Sequence, residues 1–435
     1  MQSVTSENNL SIEIALLGRV YNTSSLSQFS LTIPLCGIPV GTMKISLIND
    51  TEFMVHSGEH GLLQFSNSGS EDLDGTSLSF VVTEANQEGV KGTNNYHMNI
   101  AFKLGSFKTH ETKTLQKHGT STEVMVSLLK SAGFDEPVNA LFQKSTGDMM
   151  NWLCIRDTAE AHLDYVCDHS FLEGDYVYYT FSTDKGNFII SSFNESKTFY
   201  PRQMFAFSVN AYQNSDNAKF IDDTSGYHTW LFNQEIRENV AGKHMEDLFP
   251  NIVYSTFDEQ GRPEIGMCDS NCFGKLLEGA GYQGQEEFNN SLGASGVSFG
   301  KAKMVIDSPM NTHNMYQVAP IIRNRYLATY SKQLTIPLTN VIGPDVGSTV
   351  LVYTKNKENV IASGVADEVY ADEYVVLGKT IYKNNDTNNN GSNVDDIYVL
   401  VKLGSPRLLD GNAKNVTDEF NKIKFPGNDN KTQKI

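Results

Sequence analysis

His56-Ser57-Gly58-Glu59-His60 carries the sharpest hint of chemistry in this 435-residue chain. It fits H-x-x-E-H, in which two imidazoles on one helix face hold zinc and the glutamate activates a zinc-bound water. A helix is the condition, and Gly58 and Gly61 oppose one. The flanking runs Phe53–Val55 and Leu62–Phe65 are short and apolar, as strand ends are. A loop between strands is expected there, and a β-rich zinc hydrolase using His56, Glu59 and His60 stands as the rival reading. The other candidates fail on spacing. Cys268 and Cys272 form C-x-x-x-C with no second pair, whereas a structural zinc takes four ligands. Asp386, Asn388, Asn390 and Gly391 open like a calcium loop, but Ile397 stands where a bidentate glutamate is needed. Ala302 follows Gly300-Lys301 where a phosphate loop has Ser or Thr. His162 and His169, seven apart, are expected to share a helix face as a partly buried, hydrogen-bonded pair rather than a metal site. The residues therefore predict no catalytic group, no metal site and no cofactor.

The elements that would position such groups are clearest from 156 to 190, RDTAEAHLDYVCDHSFLEGDYVYYTFSTDKGNFII. Asp157 followed by Glu160 reads as a capping-box-like helix start. Leu163, Val166, Cys167 and Ser170 then fall on one face, with His162 beside them. Gly174 can end the helix in the left-handed conformation. Tyr176–Phe181, dense in aromatic and β-branched residues, reads as a strand, Ser182–Asn187 as a turn, and Phe188–Ile190 as the returning strand. A helix laid against a hairpin obliges no catalysis; it is an assembly module.

Around it, the first 105 residues read as an all-β unit, a small barrel or sandwich. Its runs are Ile12–Val20, Phe29–Leu35, Met43–Ile48, Leu78–Val82 and Tyr96–Leu104. A second helix is capped by Thr120 and Glu123, presents Val124, Met125, Leu128, Leu129 and Ala132, and stops at Gly133. Phe205–Tyr212 and the Trp230 region are expected to be strands returning to the first β unit. Residues 240–318 are rich in Gly and Asn and read as irregular, with a helix beginning near Pro320. A second β unit uses Leu334–Leu338, Thr349–Tyr353, Val360–Val365, Tyr374–Tyr382 and Ile397–Leu403. Residues 412–424 suit a short helix, and 426–435 a disordered tail. The fold class is α+β, mainly β.

With 34 basic against 51 acidic residues, the net charge is −17, which disfavours adhesion to nucleic acid or anionic membrane. Five scattered cysteines make no disulfide scaffold. The first twenty residues lack the basic start and apolar core of a signal peptide. No run approaches the roughly 18 apolar residues of a membrane span. Synthesis and assembly in a reducing cytoplasm are the expectation.

Glu173, Gly174, Tyr176, Tyr178 and Tyr179 match the E-G-x-Y-Y-Y-like strand that follows an acidic-capped helix in a known family. With that helix–hairpin, the segment resembles the baseplate hub proteins of contractile-tailed bacteriophages, related to the hub part of VgrG and phage late control D spike proteins. SGVADEVYADEYVVLGKTIY, DDIYVLVKLGSPRLL and VTDEFNKIKF resemble the end of the hub protein, and GTMKISLINDTEFM with GLLQFSNSGSEDLDGTSLSFVVTEAN its first barrel. The resemblance runs in order through most of residues 10–425 and is weakest from 240 to 318. It implies two tube-type β-barrel domains, 1–112 (completed by 200–239) and 325–405. Between and after them it places an α/β insertion at 113–199, an irregular middle domain at 240–324, and a helix with a disordered tail at 406–435. It further implies a homotrimer forming a pseudo-sixfold ring in the virion tail, bound to the tail tube protein, the central spike protein and other baseplate proteins. DNA would pass through the ring without specific binding, and any cell-wall hydrolase would sit in the spike. If the second β unit is a tube barrel, Asp367, Glu368, Asp372 and Glu373 are candidates to line the channel and repel DNA. A secreted adhesin is a third reading, disfavoured by the absence of repeats.

Overall fold

The computed structural model describes residues 10–48, 54–67, 77–89, 95–135, 137–139, 146–172, 175–207, 219–222, 227–232, 252–257, 263–268, 302–305, 312–313, 316, 319, 323, 330, 332–354, 370–384, 396–405 and 412–423. The first β unit holds β1 (Leu10–Leu16), β2 (Arg19–Asn22), β3 (Leu26–Pro34), β4 (Val40–Ile48), β5 (His60–Asn67), β6 (Ser77–Gly89) and β7 (Asn95–Leu104). The expected single run Ile12–Val20 is instead a hairpin. Leu17 and Gly18 both have positive φ (51° and 73°) and turn the chain in two residues, as the strand twist requires. In β1 the side chains alternate, with Leu10, Ile12, Ile14 and Leu16 buried. They meet Phe29, Phe65, Phe80 and Phe102; the last two rings lie 4.9 Å apart.

The insertion begins with β8 (Lys113–Gly119), α1 (Ser121–Ser131), β9 (Val138–Asn139) and β10 (Met150–Asp157). It continues through α2 (Ala159–Asp168), β11 (Val177–Ser182), β12 (Asn187–Ser192) and α3 (Phe193–Phe199). Both halves of the expected capping box of α1 are present, Thr120 receiving the Glu123 amide and Glu123 the Thr120 amide. Gly133, with φ of 92°, follows its last turn. The cap of α2 differs from expectation. Thr158, not Asp157, receives the Ala161 amide, at 3.3 Å. Glu160 turns outward to Lys103 on β7 and to the Ile38 amide. The helix ends at His169, short of Gly174, which lies outside the described residues.

Then come β13 (Arg202–Phe207), β14 (Lys219–Asp222), β15 (Tyr227–Leu231), β16 (Ile252–Phe257), β17 (Pro263–Cys268) and β18 (Ala302–Val305). The chain closes with β19 (Lys332–Thr339), β20 (Thr349–Thr354), β21 (Asp372–Asn384), β22 (Tyr398–Ser405) and α4 (Asn412–Phe420). β16, β17 and β18 form an antiparallel sheet inside the stretch expected to be irregular. Val360–Val365 lies outside the described residues, as does most of the segment around Pro320.

One sheet carries both β units, in the order β14-β15-β13-β20-β21-β3-β4-β7-β6-β5-β1-β2, with β22 on β21 and β19 on β22. The join is β21 against β3, antiparallel from Gly378↔Pro34 to Asn384↔Gln28. The return strands correct an expectation. β13 and β15 do not complete the first unit; β13 pairs in parallel with β20 of the second, Gln203↔Val350 to Phe207↔Thr354. Their residues explain it: Met204 and Ala206 join a separate core with Tyr353 and Phe420, whose rings stack at 3.9 Å.

Candidate functional site

His56 to Glu59 form a turn and His60 begins β5, so no helix face presents the two imidazoles. Gly58 takes a φ of 93° and donates to Val82 O, while Glu59 receives the His56 amide at 3.1 Å. Among the described residues no three His, Cys, Asp or Glu side chains stand where they could hold a metal. Nor do His162 and His169 form the expected pair. His162 is buried in the face of α2 with both ring nitrogens lacking a hydrogen-bond partner, and burial lowers its pKa. His169 instead stacks on Tyr316 at 4.4 Å and shares a hydrogen bond between Nδ1 and Tyr165 O.

What the fold does assemble is a junction, with one face of the helix–hairpin module packed against both β units. Tyr178 and Tyr179 are fully buried and point to opposite sides, as successive strand residues must. Tyr178 donates to Gly347 O in the second unit at 3.1 Å, and Tyr179 to Asp164 on α2 at 2.7 Å. Tyr176 stacks on Phe193 at 4.9 Å. These tyrosines therefore bind the chain to itself rather than offering an outer face; Glu173 and Gly174 lie outside the described residues. On the same face as Tyr178, two residues along the strand, Thr180 donates to Pro34 O of the first unit at 2.9 Å.

A buried charge fixes the hairpin turn to the second unit. Asp345 accepts from Ser182 Oγ, from the Thr183 amide at 3.1 Å and from Thr183 Oγ1 at 2.8 Å. Lys379, with a side chain 0% exposed, lies 3.5 Å from the same carboxylate and donates to Thr183 Oγ1 and Pro344 O. Burial lowers the lysine pKa and Asp345 opposes that shift. Asp148, also buried, joins α1 to the end of α2 by receiving the Ser121 and Phe171 amides at 3.0 and 2.8 Å. Its charge faces the positive end of α1.

Two of the four acidic channel candidates, Asp372 and Glu373, are described. Asp367 and Glu368 lie outside the described residues. Asp372 is 3% exposed and receives Ser405 Oγ at 2.7 Å, so it cannot line an open channel. Glu373 is partly exposed but paired with Lys197. It borders a cavity of about 450 Å³ with Arg202, Tyr227 and Glu419. Tyr227 donates to Glu419, and Arg202 stands 3.7 Å from it; hydrogen bonds from Lys422 and Tyr227 hold the Glu419 carboxyl below its ordinary range.

Sequence reasoning missed the ribbon of β8 and β10, whose strands, among the described residues, pair only with each other. Trp152 faces inward and donates to Gly119 O at 2.9 Å, while Leu153 and Ile155 are exposed. It also missed an apolar row across the sheet's terminal strands. Val20 on β2 opposes Ala15, which opposes Leu62 on β5, and Val20 and Leu62 are 69% and 46% exposed. Among the described residues no helix is long and apolar enough to cross a membrane.

No protein-family model matches the sequence, and no curated protein does. Among solved structures, the chain is similar to the tail protein of Neisseria meningitidis MC58, at 10% identity and a TM-score of 0.49, over 94% of this chain and 99% of that one. It is similar to the 43 kDa tail protein of prophage MuSo2 from Shewanella oneidensis, at 10% identity and 0.46, over 93% and 100%. A third is the E. coli c3393 protein, a component of the type VI secretion system, at 10% identity and 0.43, over 88% and 73%. That protein exhibits structural similarity to T4 bacteriophage tail proteins gp27 and gp5. These structural neighbours of the chain are phage tail and type VI secretion proteins.

Proposed function

We propose that the chain is the baseplate hub of a contractile tail, a structural protein whose role is geometrical. Three copies form a ring of six β units around a channel, joining a sixfold tail tube to a threefold central spike. One observation carries the reading: two β units lie edge to edge in one sheet through β3 and β21. A chain that brings two linked β units can meet sixfold symmetry with three copies. The module behind the join is tied by its hairpin turn to the buried Lys379–Asp345 pair of the second unit, which supports a stiff connection between the two units. The order of the hub-like sequence segments supports the same role. Partners are the tail tube protein, the spike and other baseplate proteins, and the chain has no catalytic duty of its own. DNA passes without specific binding, consistent with the net charge of −17. The particle is assembled in the host cytoplasm and the protein resides in the virion tail. Negative-stain electron microscopy of the purified protein should show threefold rings with a central hole. Compact particles without a hole, alone and with the spike, would defeat the proposal.

A further inference from the structure

Cys36 lies between β3 and β4, and Cys167 on the inner face of α2, 131 residues away. Their sulfurs stand 3.7 Å apart. Against them lies Arg323, buried and, among the described residues, hydrogen-bonded to no carboxylate. Its Nη2 is 3.1 Å from Cys167 Sγ, its Nη1 donates to Ser170 Oγ and Val177 O, and its plane covers the Tyr176 ring at 4.2 Å. A guanidinium does not give up its proton, so a buried one calls for a negative partner. Among the described residues, Asp168 acts on it electrostatically, and the two thiols, facing each other beside it, are ionisable groups able to supply further charge. Cys167 is buried, whereas Cys36 keeps partial exposure and gives reagents a way in.

We propose that Cys36 and Cys167 are a redox site: a thiolate–thiol pair, compensated by Arg323, that low-molecular-weight disulfides convert to a Cys36–Cys167 disulfide. The hydrogen bond from Cys167, with Arg323 assisting, holds the Cys36 thiol below its ordinary range, and the shared proton raises Cys167 well above it. Cys36 thiolate attacks one sulfur of the small disulfide, forming a mixed disulfide and expelling one small thiolate. Cys167 then loses its proton to solvent and attacks Cys36 sulfur, expelling the second. Two protein thiols are oxidised and one small disulfide is reduced to two thiols. The product ties the first β unit to the module. In a reducing compartment the pair stays open; in an oxidising one it closes. Nothing in this depends on the tail reading.

The test uses the full chain and 2-hydroxyethyl disulfide. Peptide mapping should find Cys36 joined to Cys167, with the intact chain lighter by two hydrogens and no reagent retained. Cys36→Ser and Cys167→Ser should each abolish that product, and Cys167→Ser should trap the reagent on Cys36. In the unmodified chain, iodoacetamide should label Cys36 with a rate profile displaced below that of an ordinary thiol. Arg323→Gln should slow the labelling at neutral pH by roughly tenfold or more. If that variant does not fold, the pH profile of the unmodified chain decides alone. Reagent retained on Cys36 of the unmodified chain, or an undisplaced profile, would overturn the proposal.

Discussion

Asp345→Asn removes one charge from the junction and keeps its shape, which makes its cost a direct measure of how the module is held. The carboxylate lies 3.5 Å from the Lys379 ammonium, with side chains 7% and 0% exposed. At an effective dielectric of about 20, Coulomb's law makes that attraction about 5 kcal/mol. The lysine has an escape: it can lose its proton. From an ordinary pKa of 10.5 that costs about 5 kcal/mol at pH 7, which caps the loss. Stranding one member of a buried pair costs roughly 3–5 kcal/mol, so that range is expected in urea denaturation at neutral pH. Lys379→Met should cost less, about 1–3 kcal/mol, because Asp345 keeps Ser182 Oγ, the Thr183 amide and Thr183 Oγ1 as donors. The double variant should recover at least about 1 kcal/mol relative to the sum. In Asp345→Asn the folded lysine has a depressed pKa, so the unfolded chain binds more protons and stability climbs as the pH rises toward 10.5. A coupling below about 0.5 kcal/mol, or a loss that does not shrink with pH, would refute the reasoning.

Other variants probe the same frame. Gly347→Ala forces a residue at φ of 82° and places a methyl against the Tyr178 ring, so it should destabilise by roughly 2–4 kcal/mol in the same assay. Thr120→Ala removes the capping box of α1 and should cost about 1 kcal/mol with an unchanged denaturant slope. Burial, with Asp157 adding repulsion, pushes the Cys154 thiol from 9.0 up to about 11. The folded chain keeps that proton after the unfolded chain has lost it. Its stability is therefore intact below pH 9.0 and falls as the pH rises to about 11, by roughly 3 kcal/mol at most. Cys154→Ala should flatten that part of the profile.

The helix–hairpin was legible because its signals are local. Leu163, Val166 and Cys167 at helical spacing and the aromatic run from Tyr176 both report burial directly, and the structure buries all of them. β5 was read only as a strand end at Leu62–Phe65, because Gly61 reads as a breaker. In the fold it sits under the Phe80 ring, in space no Cβ could share, and a strand tolerates glycine there. Glu160 misled for another reason: a glutamate near a helix start has two uses, and the Lys103 on β7 that claims it is 57 residues away. The partner of β13 was equally out of reach, since Phe205 and Val352 are paired by topology and not by spacing. Arg323 gave no signal at all. A lone arginine in a weakly patterned segment becomes informative only once Cys167, Ser170 and Tyr176 are seen around it.

The threefold ring is tested most directly by the native mass of the purified protein, measured by sedimentation equilibrium across a concentration series. The account predicts a species of about 145 kDa, three times the 48.3 kDa chain, that gains population as concentration rises. A single species at 48.3 kDa at every concentration, unchanged when the spike partner is added, would contradict it.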